Sequence, residues 1–256
     1  MPMMNLLKGI AHVIPFRTIC LLFMIWNNSS YAIQGNEKNV GFYCDDESIK
    51  KSYHGDSINI YMLFFVLLGV FGFIVNQCVP VLEEEKKKKS NCFSNYHLRD
   101  YYTGFLFVIT ITEVFKFIFT ELRPHFFYTC MPDMTKIDCS KGLVTSFNCT
   151  GTGPRWLVDR DIYKSFPSGH SSTSVYAFVF ITLLLCKRRK SSKSVWCHRF
   201  VPVLFFIWAV MCCMSRILDN RHFWWDVLFG VSIGIIGGYI MARYSLRRAH
   251  SHCKTT

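Results

Sequence analysis

The chain has 256 residues, of which 51% are hydrophobic, and its formal net charge is +12. This composition fits either a protein with a large globular core or a membrane protein with several spans. The charge does not indicate nucleic-acid binding, because the basic residues are concentrated in short segments between apolar stretches, as in a membrane protein whose charges set its orientation.

The apolar stretches predict the fold, because each has about the 17 to 25 residues that cross a bilayer and no alternating strand pattern joins them. We therefore predict an all-α fold, a polytopic membrane bundle of about six transmembrane helices that forms one domain over residues 1–256. Residues 1–32 are either a first transmembrane helix, which we favour, or a cleaved signal peptide. The predicted spans are Ile10 to Trp26, Ile58 to Val79, Tyr101 to Leu122, Ser171 to Cys186, Phe200 to Met214 and Val227 to Tyr244.

The basic segments predict which loops are cytoplasmic. They occupy the connections at 86–99 and 187–199 and the tail at 245–256. Each of these segments is separated from the next by two spans, so all three can lie on the same side of the membrane. The opposite, non-cytoplasmic side then holds residues 27–57, 123–170 and 215–226.

Sequons and cysteines fit this orientation. Asn148 begins a glycosylation sequon in the second outer segment, and Asn27 and Asn28 begin two more near the first span. The cysteines show no zinc-site spacing; those on the outer side could form disulfides, whereas those on the cytoplasmic side should stay reduced. The first group is Cys44, Cys130, Cys139 and Cys149, and the second is Cys92, Cys186, Cys197 and Cys253.

Ionisable residues near the outer ends of the spans require an explanation, because such residues are costly in a membrane. Lys116 and Arg123 are seven residues apart, so a helix that continues to Pro124 would place both on one face. They are either phosphate-binding cations or side chains that reach the membrane interface.

A second cluster precedes the span that begins at Ser171. Ser168 and Gly169 would place backbone N–H groups at a helix start, where free amides and the helix dipole suit a bound anion. His170 could donate a proton there. The alternative is an ordinary helix cap.

The third cluster joins the last two spans. His222 and Asp226 are four residues apart, so a helix starting there would let the carboxylate accept from one imidazole nitrogen and leave the other free as a nucleophile. Arg216 adds a forked cation for phosphate oxygens. The alternative is an interfacial histidine with a capping aspartate. Because all three clusters lie on the same side, together they indicate in-line displacement at phosphorus.

Three motifs, complete and in order, resemble those of the type 2 phosphatidic acid phosphatase superfamily. They are Lys116 with six residues before Arg123-Pro124, then Pro167-Ser168-Gly169-His170, then Ser215-Arg216 followed by His222 and Asp226. The segments at 41–50 and 122–127 are similar to the animal lipid phosphate phosphatases, so the resemblance covers nearly the whole chain from about residue 40.

This resemblance implies an integral membrane phosphatase that acts on phosphatidate, lysophosphatidate, sphingosine phosphate and ceramide phosphate. It implies that His222 attacks phosphorus to form a phosphohistidine, that Asp226 holds its tautomer, and that His170 protonates the leaving alkoxide. No metal or other cofactor is implied, because cations take that role. The phosphate-binding residues that it implies are Lys116, Arg123, Pro124, Ser168, Gly169 and Arg216.

The remaining expectations concern location, packing and rival functions. We expect a multi-pass protein of the plasma membrane with an outward-facing site, and internal membranes are the alternative. Gly230, Gly234 and Gly238 permit close helix packing, within the chain by default or in a homo-oligomer. Rival functions are a lipid transporter or scramblase, an inactive scaffold, and a phosphatase dedicated to sphingosine phosphate or polyprenyl diphosphate.

Overall fold

The computed structural model describes residues 40–82, 87–186 and 196–255. Within these ranges the fold is all-α, as predicted, and five helical segments are long and apolar enough to cross a membrane. The predicted span Ile10 to Trp26 lies outside the described residues. The five segments are Ile60–Cys78, Tyr96–Ile118, Gly169–Cys186, Trp196–Leu218 and Trp224–Arg248.

Eight α-helices and several short turns make up the described chain. The helices are α1 (Ile60–Phe64), α2 (Phe71–Leu82), α3 (Lys87–Ile118), α4 (Phe126–Cys130), α5 (Arg155–Asp159), α6 (Gly169–Cys186), α7 (Val201–Leu218) and α8 (Trp224–Thr255). A π-helical segment, Phe65–Val70, joins α1 to α2, and another, Trp196–Phe200, leads into α7. Helix α8 continues through most of the segment predicted as a tail.

Helix α6 is the centre of the bundle, since 61% of its span is buried, against 22 to 39% for the other four spans. Helix α8 packs on it through glycines. A Cβ atom added at Gly230 or Gly234 would lie 2.6 Å from the carbonyl oxygen of Ser168 or Ser172. The prediction that these glycines pack within the chain is confirmed, and the contact fixes the start of α8 against the start of α6.

The connections at one end of the bundle form a layer of their own. The N–H and C=O groups of Phe42 pair with those of Val144 at 3.0 and 2.9 Å, and Lys51 N–H donates to the Pro124 carbonyl at 2.8 Å. Disulfides Cys44–Cys139 and Cys130–Cys149 link the same connections. The cysteines predicted to be able to pair do so, and the described parts of the three predicted outer segments lie at one end of the bundle.

The expectation that Cys197 stays reduced is wrong in this structure. Cys197 forms a disulfide with Cys78, and their Cα atoms are 5.6 Å apart. The two residues come together because the first described span ends beside the start of the helix that leads into α7. Cys186 is a free thiol, as predicted.

The predicted helix through Leu122 to Pro124 is also wrong, because α3 ends at Ile118. Beyond it the chain is extended and pairs with the segment before α6. Glu121 N–H donates to Tyr163 O at 3.2 Å, and Arg123 N–H donates to Ile162 O at 2.9 Å. A proline disfavours helical geometry in the residue before it, which agrees with an extended Arg123. Lys116 and Arg123 therefore do not share a helical face.

Candidate active site

The nucleophile candidate, His222, lies in the turn between α7 and α8. The turn is closed by the N–H groups of Arg221 and His222, which donate to Arg216 O at 3.0 and 3.2 Å. Asn220 adopts a left-handed conformation, with φ of 53°, that reverses the chain. Here the sequence prediction needs correction, because His222 precedes the helix that carries Asp226.

Asp226 shapes the start of α8. Its Oδ2 accepts from Phe223 N–H at 2.9 Å, as the third-residue carboxylate of a capping box does. The same oxygen accepts from Ser165 Oγ at 2.6 Å. Because this cap makes Phe223 the last residue before α8, His222 lies just outside the helix. Its Nδ1 lies 3.6 Å from Asp226 Oδ2. The predicted pairing thus exists as an electrostatic contact longer than a hydrogen bond.

The other ring nitrogen of His222 faces a cation. Arg123 Nη1 lies 3.3 Å from His222 Nε2. Because a guanidinium can only donate, Nε2 must present its lone pair and the ring proton must be on Nδ1, toward Asp226. Burial, followed by the charges of Arg123, Lys116 and Arg221, holds the pKa of His222 well below its ordinary value. The imidazole is therefore neutral, with Nε2 as its basic atom.

His170 and Lys116 lie at the start of α6. His170 is in the first turn, and its Nε2 is buried with no hydrogen-bond partner among the described residues. Lys116 Nζ lies 3.6 Å from where a Cβ atom of Gly169 would be. It pairs with Glu113 at 3.0 Å. A cation and an unpartnered imidazole nitrogen thus meet at one helix start.

The amide of Ser168 is not free, contrary to the sequence expectation, because it donates to Asp226 O at 3.1 Å. The Ser168 hydroxyl is also occupied, since it accepts from Ser171 Oγ at 2.9 Å. Ser168 therefore joins α6 to α8. Pro124 has a similar linking role through its carbonyl, which accepts from Lys51.

Arg216 is almost fully buried and tied to protein groups. Its Nη1 lies 3.2 Å from Asp56 Oδ1, and its Nη2 lies 3.0 Å from Asp219 Oδ2 and 2.8 Å from Ile58 O. Its Nε lies 3.2 Å from Ser215 Oγ. The structure thus places Arg216 as an anchor between α7 and the segment before α1.

Comparison with known proteins identifies the family. The sequence profile of the PAP2 superfamily matches residues 97–249, which include every predicted catalytic residue. This chain belongs to the PAP2 superfamily. It is 33% identical to phospholipid phosphatase 1 of Rattus norvegicus, over 80% of this chain and 74% of that protein. It is 31% identical to phospholipid phosphatase 2 of Mus musculus, over 80% of this chain and 75% of that protein. These relatives confirm the predicted link to animal lipid phosphate phosphatases.

A relative from Drosophila melanogaster, named for phosphatidate phosphatase activity, is 29% identical over 84% of this chain. The match spans 63% of that relative's own length. No solved structure matches the chain.

Sequence reasoning missed an ion-pair network that holds the arginines of this PAP2-superfamily site. Asp161 Oδ1 lies 2.9 Å from Arg123 Nη2, and its Oδ2 lies 2.8 Å from Arg221 Nη1. Arg221 Nε is also 3.1 Å from Asp56 Oδ1. Burial raises the pKa of Asp161, but Arg123 and Arg221 outweigh it, and the net pKa lies below its ordinary value. Arg221 directly precedes His222, yet no motif spacing marked it or the aspartates.

His125 lies in the segment 122–127 that resembles the animal lipid phosphate phosphatases, but its role was not predicted. Its Nε2 lies 3.4 Å from Arg221 Nη1, and its Nδ1 lies 2.8 Å from Thr129 Oγ1. Its ring stacks on Tyr53, with the ring centroids 4.5 Å apart. Burial, then the charges of Arg123 and Arg221, lower the pKa of His125 to about 3. It is a neutral side chain that packs the first outer segment against the site.

Within the described ranges, no group of three His, Cys, Asp or Glu side chains is arranged to hold a metal ion. The positively charged groups that act on His222 are Arg123, Lys116 and Arg221. These groups can bind the oxygens of a phosphate by charge and by hydrogen bonds.

Proposed function

We propose that this chain is an integral membrane phosphatase that hydrolyses lipid phosphate monoesters through a phosphohistidine on His222. The observation that carries the proposal is the position of His222, with Nε2 at 3.3 Å from Arg123 Nη1 and Nδ1 at 3.6 Å from Asp226 Oδ2. A neutral imidazole that presents its lone pair beside a fixed cation is suited to attack a phosphorus atom held by that cation.

In the first step, the lone pair of Nε2 attacks phosphorus while the ester P–O bond breaks. His170, which enters this step as an imidazolium, transfers a proton to the departing alkoxide and becomes neutral, and the Nδ1 proton of His222 stays toward Asp226. In the second step, water attacks phosphorus, His170 removes the proton from that water, and the N–P bond electrons return to Nε2. Inorganic phosphate leaves, and both histidines regain their starting protonation.

Arg123 and Lys116 are the proposed phosphate ligands, together with the amides at Gly169 and beyond. Each cation is held by protein groups before substrate binds, which places charge where it develops in the transition state. Arg216 would act indirectly, because it pairs with Asp56, and Asp56 in turn pairs with Arg221. A resident metal ion is not part of this proposal.

We propose phosphatidate, lysophosphatidate, sphingosine phosphate and ceramide phosphate as substrates. Large apolar side chains are exposed where α3 ends and α8 begins, among them Phe117, Ile118, Phe119 and Trp224. Such groups favour the boundary between water and lipid, which would put the site at headgroup depth. The mammalian relatives are named as phospholipid phosphatases, which supports a phospholipid substrate.

We further propose that the site faces outward at the plasma membrane, where it would act on signalling lipids. The charge distribution supports this orientation. Asn148, the predicted glycosylation site, is exposed at the same end of the bundle as His222. Digestion with a glycosidase, comparing wild type with Asn148→Gln, tests the sidedness. An unchanged mobility of the wild type would contradict glycosylation at this position.

The catalytic proposal is tested by phosphate release from phosphatidate in mixed micelles with excess chelator. We expect the wild type to be active and His222→Gln to lose at least about 1,000-fold in rate, since the nucleophile is removed. His54→Gln is the matched control, because His54 is an exposed histidine of the first outer segment. Full activity in His222→Gln would refute the mechanism. No release from any lipid phosphate by folded wild type would favour a transporter or a scaffold.

A further inference from the structure

A second carboxyl group lies behind the nucleophile. The side chain of Glu121 is within hydrogen-bonding reach of Asp226. Its backbone is fixed by the extended pairing, in which Ser165 N–H donates to Glu121 O at 3.1 Å. Its Oε1 accepts from Trp225 Nε1 at 3.0 Å. The structure thus holds two carboxyl groups together beside His222.

Two adjacent carboxyl groups can share a hydrogen bond only when one of them carries a proton. Asp226 is the better anion, because its Oδ2 accepts from Ser165 Oγ at 2.6 Å and from Phe223 N–H at 2.9 Å. Its Oδ1 is buried and has no donor among the described residues. Glu121 receives the indole at Oε1, which leaves Oε2 to carry the proton.

We propose that Glu121 is a positioning residue that, in its protonated form, donates a hydrogen bond from Oε2 to Oδ1 of Asp226 and so holds that carboxylate behind His222. This inference rests on the proposed function. The bond would occupy the last free oxygen of Asp226. It would also keep a second negative charge away from an imidazole that must attack an anionic phosphate.

The surroundings favour a proton on Glu121. Burial, and then the negative charge of Asp226, raise the pKa of Glu121 to about 7. The indole of Trp225 opposes this rise, because it donates to the ionised form. The cation of Arg123 also acts on Asp226 and favours its charged form. The side chain of Lys164 interacts instead with Glu113 and Lys116, although its backbone pairs with Glu121.

The protonated form of Glu121 is the active one in this scheme. Activity is therefore present below its pKa and is lost as the pH rises through about 7. Above that pH, Oδ1 of Asp226 loses its donor and the two carboxylates repel each other.

The test is the pH dependence of phosphate release by the full chain in micelles, from pH 5.5 to 9. For the wild type we expect the rate to fall above neutral pH. Glu121→Gln keeps a neutral donor at every pH, so we expect the fall with its midpoint at about pH 7 to disappear, leaving any fall that is due to the His170 proton at a different pH. The rate at pH 6 should stay within about 3-fold of wild type. Glu121→Ala removes the donor, and we expect a loss of about 10-fold at pH 6. Glu47→Gln, on an exposed glutamate, is the matched control.

A second variant gives a readout that a purely structural role would not change. Trp225→Phe removes the indole N–H that favours ionised Glu121, so we expect the alkaline midpoint to move to higher pH. If Glu121→Gln does not fold, this shift decides the question, and an unchanged midpoint overturns the inference. An alkaline fall with an unchanged midpoint in folded Glu121→Gln also overturns it. An inactive wild type would instead refute the proposed function.

Discussion

The substitution Asp161→Asn tests whether the arginines of the site are held in place by their carboxylate partners. Asp161 contacts Arg123 Nη2 at 2.9 Å and Arg221 Nη1 at 2.8 Å, and its side chain is only 20% exposed. In the variant, the amide oxygen can still accept from Arg123. The amide NH2 group, however, would face another donor on Arg221.

The expected loss follows from these contacts. The amide removes the negative charge that faces both arginines, and breaking a buried ion pair by removing one partner costs about 3 kcal/mol at the lower end of the usual range. The lower end applies because both arginines keep other partners. Arg123 Nε donates to Asp161 O at 2.7 Å, and Arg221 keeps Asp56 at 3.1 Å. A loss of about 3 kcal/mol corresponds to about 6 to 12 °C in Tm for a protein of this size.

The measurement is thermal unfolding in detergent micelles, with phosphate release measured on the same preparation. Asp159→Asn is the matched control, because Asp159 is an exposed aspartate two residues earlier. The ionised form of Asp161 stabilises the fold, since its pKa is lowered in the folded state. The difference in Tm between wild type and Asp161→Asn should therefore be largest near neutral pH and become smaller as the pH falls below about 4. A Tm within 2 °C of the control, roughly 1 kcal/mol or less, would refute the reasoning.

Three further substitutions test other parts of the structure. Lys116→Gln should lower kcat/KM by about 100-fold with little change in Tm, because it removes one fixed cation from the phosphate site. An unchanged kcat/KM would refute the assignment of Lys116 as a phosphate ligand. Below pH 6.5 the wild type should lose stability because its buried histidines resist protons that the unfolded chain accepts, and His125→Gln should remove the share that is due to His125, about 1.4 kcal/mol per pH unit. Parallel Tm curves of the two proteins against pH would contradict this. Gly234→Ala should lower the free energy of unfolding by about 1 to 3 kcal/mol, because the new Cβ would lie 2.6 Å from Ser172 O. Gly69→Ala is the control, because its new Cβ would have its nearest contact at 3.9 Å.

The sequence predicted the bundle well, because the hydrophobic spans depend on local composition. It also predicted that His170, His222 and Asp226 would lie at the same end of the bundle, since their motifs fall at corresponding ends of alternating spans. Periodicity was misleading near helix ends. Helical spacing suggested that His222 and Asp226 share a helix, but the side chain of Asp226 caps the helix after His222.

The parts that sequence did not predict depend on contacts between distant segments. Asp56 reaches Arg216 across 160 positions, and Asp161 reaches Arg221 across 60 positions. An aspartate in an outer loop resembles any solvated charge until the fold places a buried arginine beside it. The disulfide between Cys78 and Cys197 is similar, because only the packing of two spans brings these residues together.

The carboxylates of the site have two separate tasks, and the tasks place opposite demands on their charge. Asp161 must stay ionised, because it neutralises two arginines that would otherwise repel each other. In the proposed mechanism Glu121 must stay protonated, because a further negative charge beside Asp226 would oppose the approach of an anionic phosphate to His222 Nε2. Burial alone would protonate both groups, so their neighbours decide the outcome: two guanidinium groups contact Asp161, whereas Glu121 lies beside a carboxylate and accepts from one indole. This difference allows one carboxylate to fix the arginines while no second negative charge lies beside the proposed nucleophile.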